Sequence, residues 1–183
     1  MTAAAGYRDV LQGPAPLVAP ALLGWRLSAH GVTGVIAEIE AYHGEEDLAC
    51  HASKGRTPRT ATLYAAPGTL YVYLCYGMHH LLNLVTGEEG VPSAVLIRGL
   101  MIDGVDPRRS NGPGKVAKLL GLDRTHNGQV IGTTVGLLPP IGPRCAVRSG
   151  PRIGVDYAGP HWSRMRWRWW LAGFPVAMPP IPR

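Results

Sequence analysis

Long hydrophobic runs are missing from this chain. No stretch nears the ~18 uninterrupted apolar residues that a membrane-spanning helix needs, and the richest, Pro16 to Trp25, is interrupted by Pro20. Cysteine is scarce: three residues (Cys50, Cys75, Cys145), odd in number and at no paired spacing, argue against a disulfide framework. No signal-peptide pattern opens the sequence, so reduced thiols and an intracellular setting are expected. Internal repeats, low-complexity tracts and long linkers are absent, and 183 residues fit one domain or at most two small ones. Charge is modest at 16%, too little for a disordered chain, while 46% hydrophobic residues suffice for a core.

Glycine (24) and proline (17) are plentiful, so turns and loops should take much of the length. The charge is unevenly spread. Residues 1–97 carry a net −3 and residues 98–183 a net +9, within an overall +6. Fifteen of the 18 basic residues are Arg, the side chain suited to bidentate phosphate contact and to stacking on flat groups. A basic half points to a polyanionic partner, nucleic acid first.

Periodicity predicts a β-rich middle. From Val32 to Tyr42, alternation puts Ile36, Glu38, Glu40 and Tyr42 on one face and Val35, Ala37, Ile39 and Ala41 on the other. Gly44 to Asp47 reads as a turn into a short helix, with acids suited to its N-terminal dipole. Thr69 to Tyr76 is the clearest strand, with Tyr71, Tyr73 and Cys75 on one face and Leu70, Val72, Leu74 and Tyr76 on the other. Residues 79–85 and 93–98 read as two more strands, 128–139 as β-rich, and 144–157 as a basic strand-and-turn region. Short helices are expected after Tyr7 and over Lys115–Leu120, the latter stopped by Gly121. The end, Phe174–Arg183, reads as extended.

Several constellations could carry chemistry. Glu40, at the end of an apolar strand beside Tyr42 and upstream of His43 and His51, is either a general base held in a partly dry site or an ordinary solvated carboxylate. His43, Cys50 and His51 match no tetrahedral zinc spacing, and the adjacent His79 and His80 would point to opposite faces. No metal and no cofactor is therefore expected. Tyr42, Tyr71, Tyr73, Tyr76 and His51 are either strand-forming aromatics or a stacking pocket for a flat ligand. Asn111-Gly-Pro-Gly-Lys115 is either a helix-start anion clamp or a plain loop-to-helix junction.

The order of blocks resembles one family. Glu38-Ile-Glu-Ala-Tyr42, Cys50-His51, Gly55-Arg-Thr-Pro-Arg59, Pro67-Gly-Thr-Leu-Tyr-Val-Tyr-Leu-Cys-Tyr-Gly-Met78, Asn83, Val95-Leu-Ile-Arg98, Asn111-Gly-Pro-Gly-Lys115 and Pro151-Arg-Ile-Gly-Val-Asp-Tyr-Ala158 occur as in the alkyladenine (3-methyladenine) DNA glycosylases. The likeness runs from about Val10 to Trp170. It departs at Cys50, where a small hydroxyl or Ala is usual, and at Gly114, where Ser is common.

The resemblance implies an α+β, β-rich single domain over residues 1–183, with 173–183 an extended tail. A curved, mainly antiparallel sheet would be flanked by helices, similar to the C-terminal domain of formyltransferases. It implies excision of alkylated or deaminated purines, of the 3-methyladenine, 7-methylguanine, hypoxanthine and ethenoadenine class, from double-stranded DNA. Glu40 is then the expected base that activates water, and Arg98 the second group holding it, with a backbone carbonyl near Ile153. Tyr42, His51 and Tyr73 would sandwich the extruded base, and Asn83 would crowd the 2-amino group of guanine. Tyr76 would be the wedge, with Met78, Arg59, Gly112, Lys115 and Arg152 also facing the DNA. No lysine suits a Schiff-base step, since Lys115 sits at a helix start, so a monofunctional enzyme leaving an abasic site is expected. The chain would act as a monomer in the bacterial cytoplasm, on the nucleoid, with no membrane partner. The competing classes are a non-catalytic DNA-binding module, which gives Glu40 no role, and a metal-dependent hydrolase using His43, His51 and a carboxylate.

Overall fold

The computed structural model describes residues 5–143 and 145–176. Its eight strands form one open antiparallel sheet in a single α+β domain: β1 (Arg26–Ala29), β2 (Val32–His43), β3 (Leu70–Cys75), β4 (His79–Val85), β5 (Ser93–Met101), β6 (Gly136–Leu138), β7 (Val147–Gly150) and β8 (Arg168–Leu171). The order is β3-β4-β5-β2-β1-β6, with β8 pairing β2 and β7. β2 is long enough to serve two neighbours along one edge: Val32–Val35 pair with β1, and Glu38–Glu40 pair with β8. Four short helices complete the fold, α1 (Ala5–Leu11), α2 (Ala15–Leu22), α3 (Pro113–Leu119) and α4 (Gly159–Arg164). No helix among the described residues is long and apolar enough to cross a membrane.

Alternation assigns the two faces of the sheet. Ile39, Ala41, Leu70, Val72, Leu82, Leu84, Val95 and Ile97 bury themselves with Leu11, Val18, Leu22, Val116 and Leu120 in the main core. Each such Leu or Ile contributes about 2 kcal/mol by leaving water. Their alternate neighbours face the other way. Tyr71, Val85 and Ala94 pack on Cys50, Ala52 and Leu63 from the segment between β2 and β3, while Val155 and Ala158 pack on Ala49 and Tyr42. This second face is only partly covered, and the site lies there.

The β2–β5 ladder slips twice. Ile36 pairs with Leu100, Glu38 with Gly99 and Ile39 with Ile97, so Ala37 on β2 and Arg98 on β5 have no partner across the ladder. Such bulges bend a strand and re-aim its side chains. Ile36 consequently joins Ala37, Ile39 and Ala41 in the core rather than Glu38, Glu40 and Tyr42, as unbroken alternation predicts. The Arg98 carbonyl accepts the Gly112 N–H at 2.7 Å, and Gly99 bridges to Asn111. The Asn111-Gly-Pro-Gly loop thus anchors β5 where the ladder is irregular.

Other expectations are modified. The acidic turn 44–47 does not start a helix, because Asp47 turns inward to accept the backbone N–H groups of His43 and Ala49; the next helical turn along the chain is a 3-10 turn at His51–Lys54. β3 ends at Cys75, and Tyr76 already has a left-handed backbone (φ 50°) in the turn to β4. Segment 128–139 contains only β6 and a lone bridge from Val130 to Thr69. The apolar stretch around Pro20 is α2, with that proline inside it. Phe174 is buried in the main core, and positions 177–183 of the expected tail lie outside the described residues, as does Arg144.

Candidate active site

A cleft of about 530 Å³ opens on the second face of the sheet. β2 to β5 form its floor, the His51 turn and Leu63 one wall, and Ile153 to Tyr157 another. Tyr42, His51, Tyr73, Asn83, Tyr76, Arg59 and Arg98, expected at the site, all line it. Tyr71, Cys75 and Tyr157 join them.

Glu40 is fully buried and does not itself form the cleft surface. Its carboxylate lies one layer behind, held by three groups that do form that surface. Tyr42 donates its hydroxyl to Oε2 at 2.8 Å, the Ile153 N–H donates to Oε1 at 2.8 Å, and Arg98 Nη1 stands 3.4 Å from Oε2. Burial, and then the Glu40 charge, push the Tyr42 hydroxyl well above its ordinary pKa, so it keeps its proton and serves as a donor.

Two residues earlier on the same strand, Glu38 is equally buried. It accepts Arg98 Nε at 3.1 Å and Arg168 Nη1 at 3.2 Å. Burial raises the Glu38 pKa, and the two guanidinium groups only partly oppose this. Burial also disfavours the charge on Arg98, but Glu40 and Glu38 more than offset that, and its pKa stays above the ordinary value.

The rings form a connected wall. His51 meets Tyr73 edge-on with centroids 4.6 Å apart, Tyr71 lies 5.3 Å from Tyr73, and His51 Nδ1 is 2.9 Å from the Tyr71 hydroxyl. Burial, helped by the Arg59 charge, lowers the His51 pKa to about 4, so the ring is neutral at pH 7. Burial pushes Tyr71 up to about 12 and raises Tyr73 as well. Asn83 donates Nδ2 to the Tyr71 carbonyl at 3.0 Å, which fixes its amide at the cleft floor.

The residues expected to face DNA divide into two sets. Tyr76 is 87% exposed and Met78 71% exposed, both at the β3–β4 turn, and Arg59 is exposed at the cleft rim. Gly112 gives its N–H to Arg98, and Lys115 turns its ammonium back onto the Arg108 carbonyl (2.7 Å) and the Asn111 side chain (2.9 Å). Arg152 departs furthest from expectation. It is buried, bonded to Asp47 at 2.6 and 2.9 Å, and lies over the rings of Tyr42 and Trp167. Its charge is neutralised internally and presents no free guanidinium to a phosphate.

Among the described residues, no three His, Cys, Asp or Glu side chains converge to hold a metal ion. His43 is 3.1 Å from Ser93 Oγ, and Cys50 is buried with its thiol pushed up to about 12 by burial. Sequence reading did not assign Arg168, Asp47 or Tyr157. Arg168 sits in a Trp-rich stretch, where nothing local signals that its partner is a carboxylate 130 positions away. The Trp cluster is half-buried: Trp167 and Trp169 pack against the main core, Trp170 lies under Arg168, and Trp162 covers Val155 and Ala158.

A family model for methylpurine-DNA glycosylase matches residues 9–175. A protein of Myxococcus xanthus (strain DK1622) is 48% identical over 166 residues, covering 86% of this chain and 85% of that protein. One from Anaeromyxobacter dehalogenans (strain 2CP-C) is 44% identical over 173 residues (90% and 82%), and one from Nitrosococcus oceani is 43% identical over 174 residues (88% and 84%). All three bear the name "Putative 3-methyladenine DNA glycosylase".

Proposed function

The chain belongs to the methylpurine-DNA glycosylase family, whose members hydrolyse N-glycosyl bonds in DNA, and on that premise we propose that it excises alkylated purines from duplex DNA as a monofunctional enzyme. One observation carries the reading. A fully buried carboxylate, Glu40, is held by three groups, and every one of them lines a ring-walled cleft.

A purine turned out of the helix would enter between Tyr42, His51 and Tyr73. N3- and N7-alkylated purines are cationic, and a cation over an aromatic face gains roughly 0.5–2 kcal/mol. The low pKa of His51 suits this choice, since a neutral ring adds no repulsion beside a cationic base. Tyr76 would fill the gap left in the stack and offset part of the flipping cost, which is a few kcal/mol and smallest for a badly paired base. Asn83 would crowd the 2-amino group of ordinary guanine. Deaminated and etheno purines carry no charge and would need protonation or a closer fit in the cleft.

The C1′–N bond breaks with oxocarbenium character. The bonding pair leaves with the purine, a water oxygen bonds to C1′, and Glu40 takes the water proton. Arg98 orients that water and steadies the carboxylate, and an abasic site remains. The negative charge of Glu40 stabilises the developing cation at the sugar. The basic half of the chain would supply sequence-independent phosphate contact with steep salt dependence. We take the whole chain to act as one such domain and as a monomer.

Base release from duplexes bearing 3-methyladenine, 7-methylguanine, hypoxanthine or ethenoadenine, with and without EDTA, tests the proposal. Release of at least the alkylated bases, unaffected by chelator, is expected. Binding without any release would favour a non-catalytic module, and loss of activity in EDTA a metal-dependent hydrolase.

A further inference from the structure

The mechanism above gives Glu38 no part, yet it is one of the most constrained side chains in the protein. It is fully buried, on the same face as Glu40 and two residues from it. The bulge on β5 sets Arg98 between the Glu38–Gly99 and Ile39–Ile97 pairs, so one guanidinium spans both carboxylates: Nε to Glu38 at 3.1 Å and Nη1 to Glu40 at 3.4 Å. Arg168, lying over the Trp170 ring at 4.8 Å, brings a second guanidinium to Glu38 at 3.2 Å. Glu40 has both oxygens bonded, whereas Glu38 Oε2 accepts no hydrogen bond among the described residues.

Such a cluster is poor glue. Buried ion pairs can commonly be exchanged for apolar residues at no loss of stability, because desolvation cancels most of the attraction. What the cluster does provide is orientation and charge balance. Two carboxylates offset two guanidinium groups, and Arg98 cannot turn wholly toward Glu40 while its Nε is held.

We propose that Glu38 is a positioning residue for base excision, one that acts through Arg98 by anchoring its Nε and sharing its charge, so that Arg98 holds the water without closing wholly onto Glu40. The inference rests on the assignment of Glu40 and Arg98 made above. Glu38 is faced by Arg98 from β5 and Arg168 from β8. Glu40 is faced by Arg98 from β5, Tyr42 from its own strand and the Ile153 N–H, with Tyr73 of β3 and Arg152 further away. Neutralising Glu38 leaves the Arg98 guanidinium to Glu40, which then binds it more tightly. Neutralising Arg168 does the opposite.

The test is single-turnover release of 7-methylguanine against pH by the full chain carrying Glu38→Gln, Glu38→Asp, Arg168→Gln or Glu40→Gln, with affinity for an uncleavable abasic-analogue duplex measured alongside. Glu38→Gln is expected to slow release about 10- to 100-fold at unchanged duplex affinity, the size of a misplaced catalytic group. The acid limb of its rate profile moves to lower pH. Glu38→Asp restores the limb and part of the rate. Arg168→Gln moves the limb to higher pH, a reversal of sign that a merely structural role does not produce. Wild-type rate and limb in Glu38→Gln, while Glu40→Gln is inactive, would overturn this inference and leave the mechanism standing. Full activity in Glu40→Gln would remove both. Should Glu38→Gln not fold, the Arg168→Gln profile decides: a limb moved upward supports the proposal, and an unmoved limb overturns it.

Discussion

Replacing Arg152 by methionine keeps most of the buried stem and removes the charge. In the native protein, Arg152 makes two charged bonds to Asp47, at 2.6 and 2.9 Å, with both side chains fully inaccessible. It also donates to the Ala41 carbonyl at 2.9 Å and the Trp162 carbonyl at 3.3 Å. The variant leaves Asp47 buried with only the N–H groups of His43 and Ala49 as partners. Removing one member of a buried pair costs about 3–5 kcal/mol, because the other charge is left uncompensated. That is a large share of a typical stability of roughly 5–15 kcal/mol, and Tm should fall by about 10 °C or more. Adding Asp47→Asn to Arg152→Met should recover much of the loss, since the stranded charge is gone. Binding to undamaged duplex should keep its slope in log K against log salt. An Arg in contact with a phosphate would instead change that slope by about 0.9. An unchanged Tm together with a reduced slope would refute the buried role and restore Arg152 to the DNA surface.

Three further outcomes are expected. The His51 pKa is about 4 in the folded protein against an ordinary 6.5, so the unfolded chain takes up the proton first. The stability tied to the neutral ring is complete above about pH 6.5 and is lost as pH falls toward 4. In denaturant unfolding between about pH 7.5 and pH 5, His51→Gln should lose about 2 kcal/mol less than wild type, and equal losses would contradict the burial argument. A methyl group added in Gly99→Ala would collide with the Phe174 ring and press on Glu38 Cβ at 3.1 Å; a loss of about 1–3 kcal/mol is expected, mostly recovered by adding Phe174→Leu, and no loss would contradict the close packing. Tyr76→Asn should alter stability by no more than about 0.5 kcal/mol, since the ring is exposed and Asn tolerates its backbone. It should slow release from duplex but not from a single strand bearing the same lesion, and equal slowing on both would remove the wedge role.

Period-two alternation made much of the site legible. It placed Glu38, Glu40 and Tyr42 on one strand face and Tyr71 and Tyr73 on one face of another, and these residues do share the cleft side of the sheet. The bulges at Ala37 and Arg98 left no local mark, because an extra residue in a ladder is decided by its partner strand; the reversal of Ile36 followed from that. Arg152 reads as a surface cation in a basic stretch, and only the pairing with Asp47, 105 positions away, shows otherwise. Lys115 and Gly112 likewise look like an anion clamp in sequence, yet their polar groups close onto their own loop and onto Arg98. Local pattern reports which face a strand residue takes, whereas the partner of a buried charge is a long-range property.

The most direct measurement is single-turnover release of 3-methyladenine by Glu40→Gln, with affinity for an abasic-analogue duplex determined on the same preparation. A fall of roughly 10²- to 10⁴-fold at undiminished affinity is expected, the range removed with a general base. Release at the wild-type rate by a folded, DNA-binding Glu40→Gln protein would contradict it.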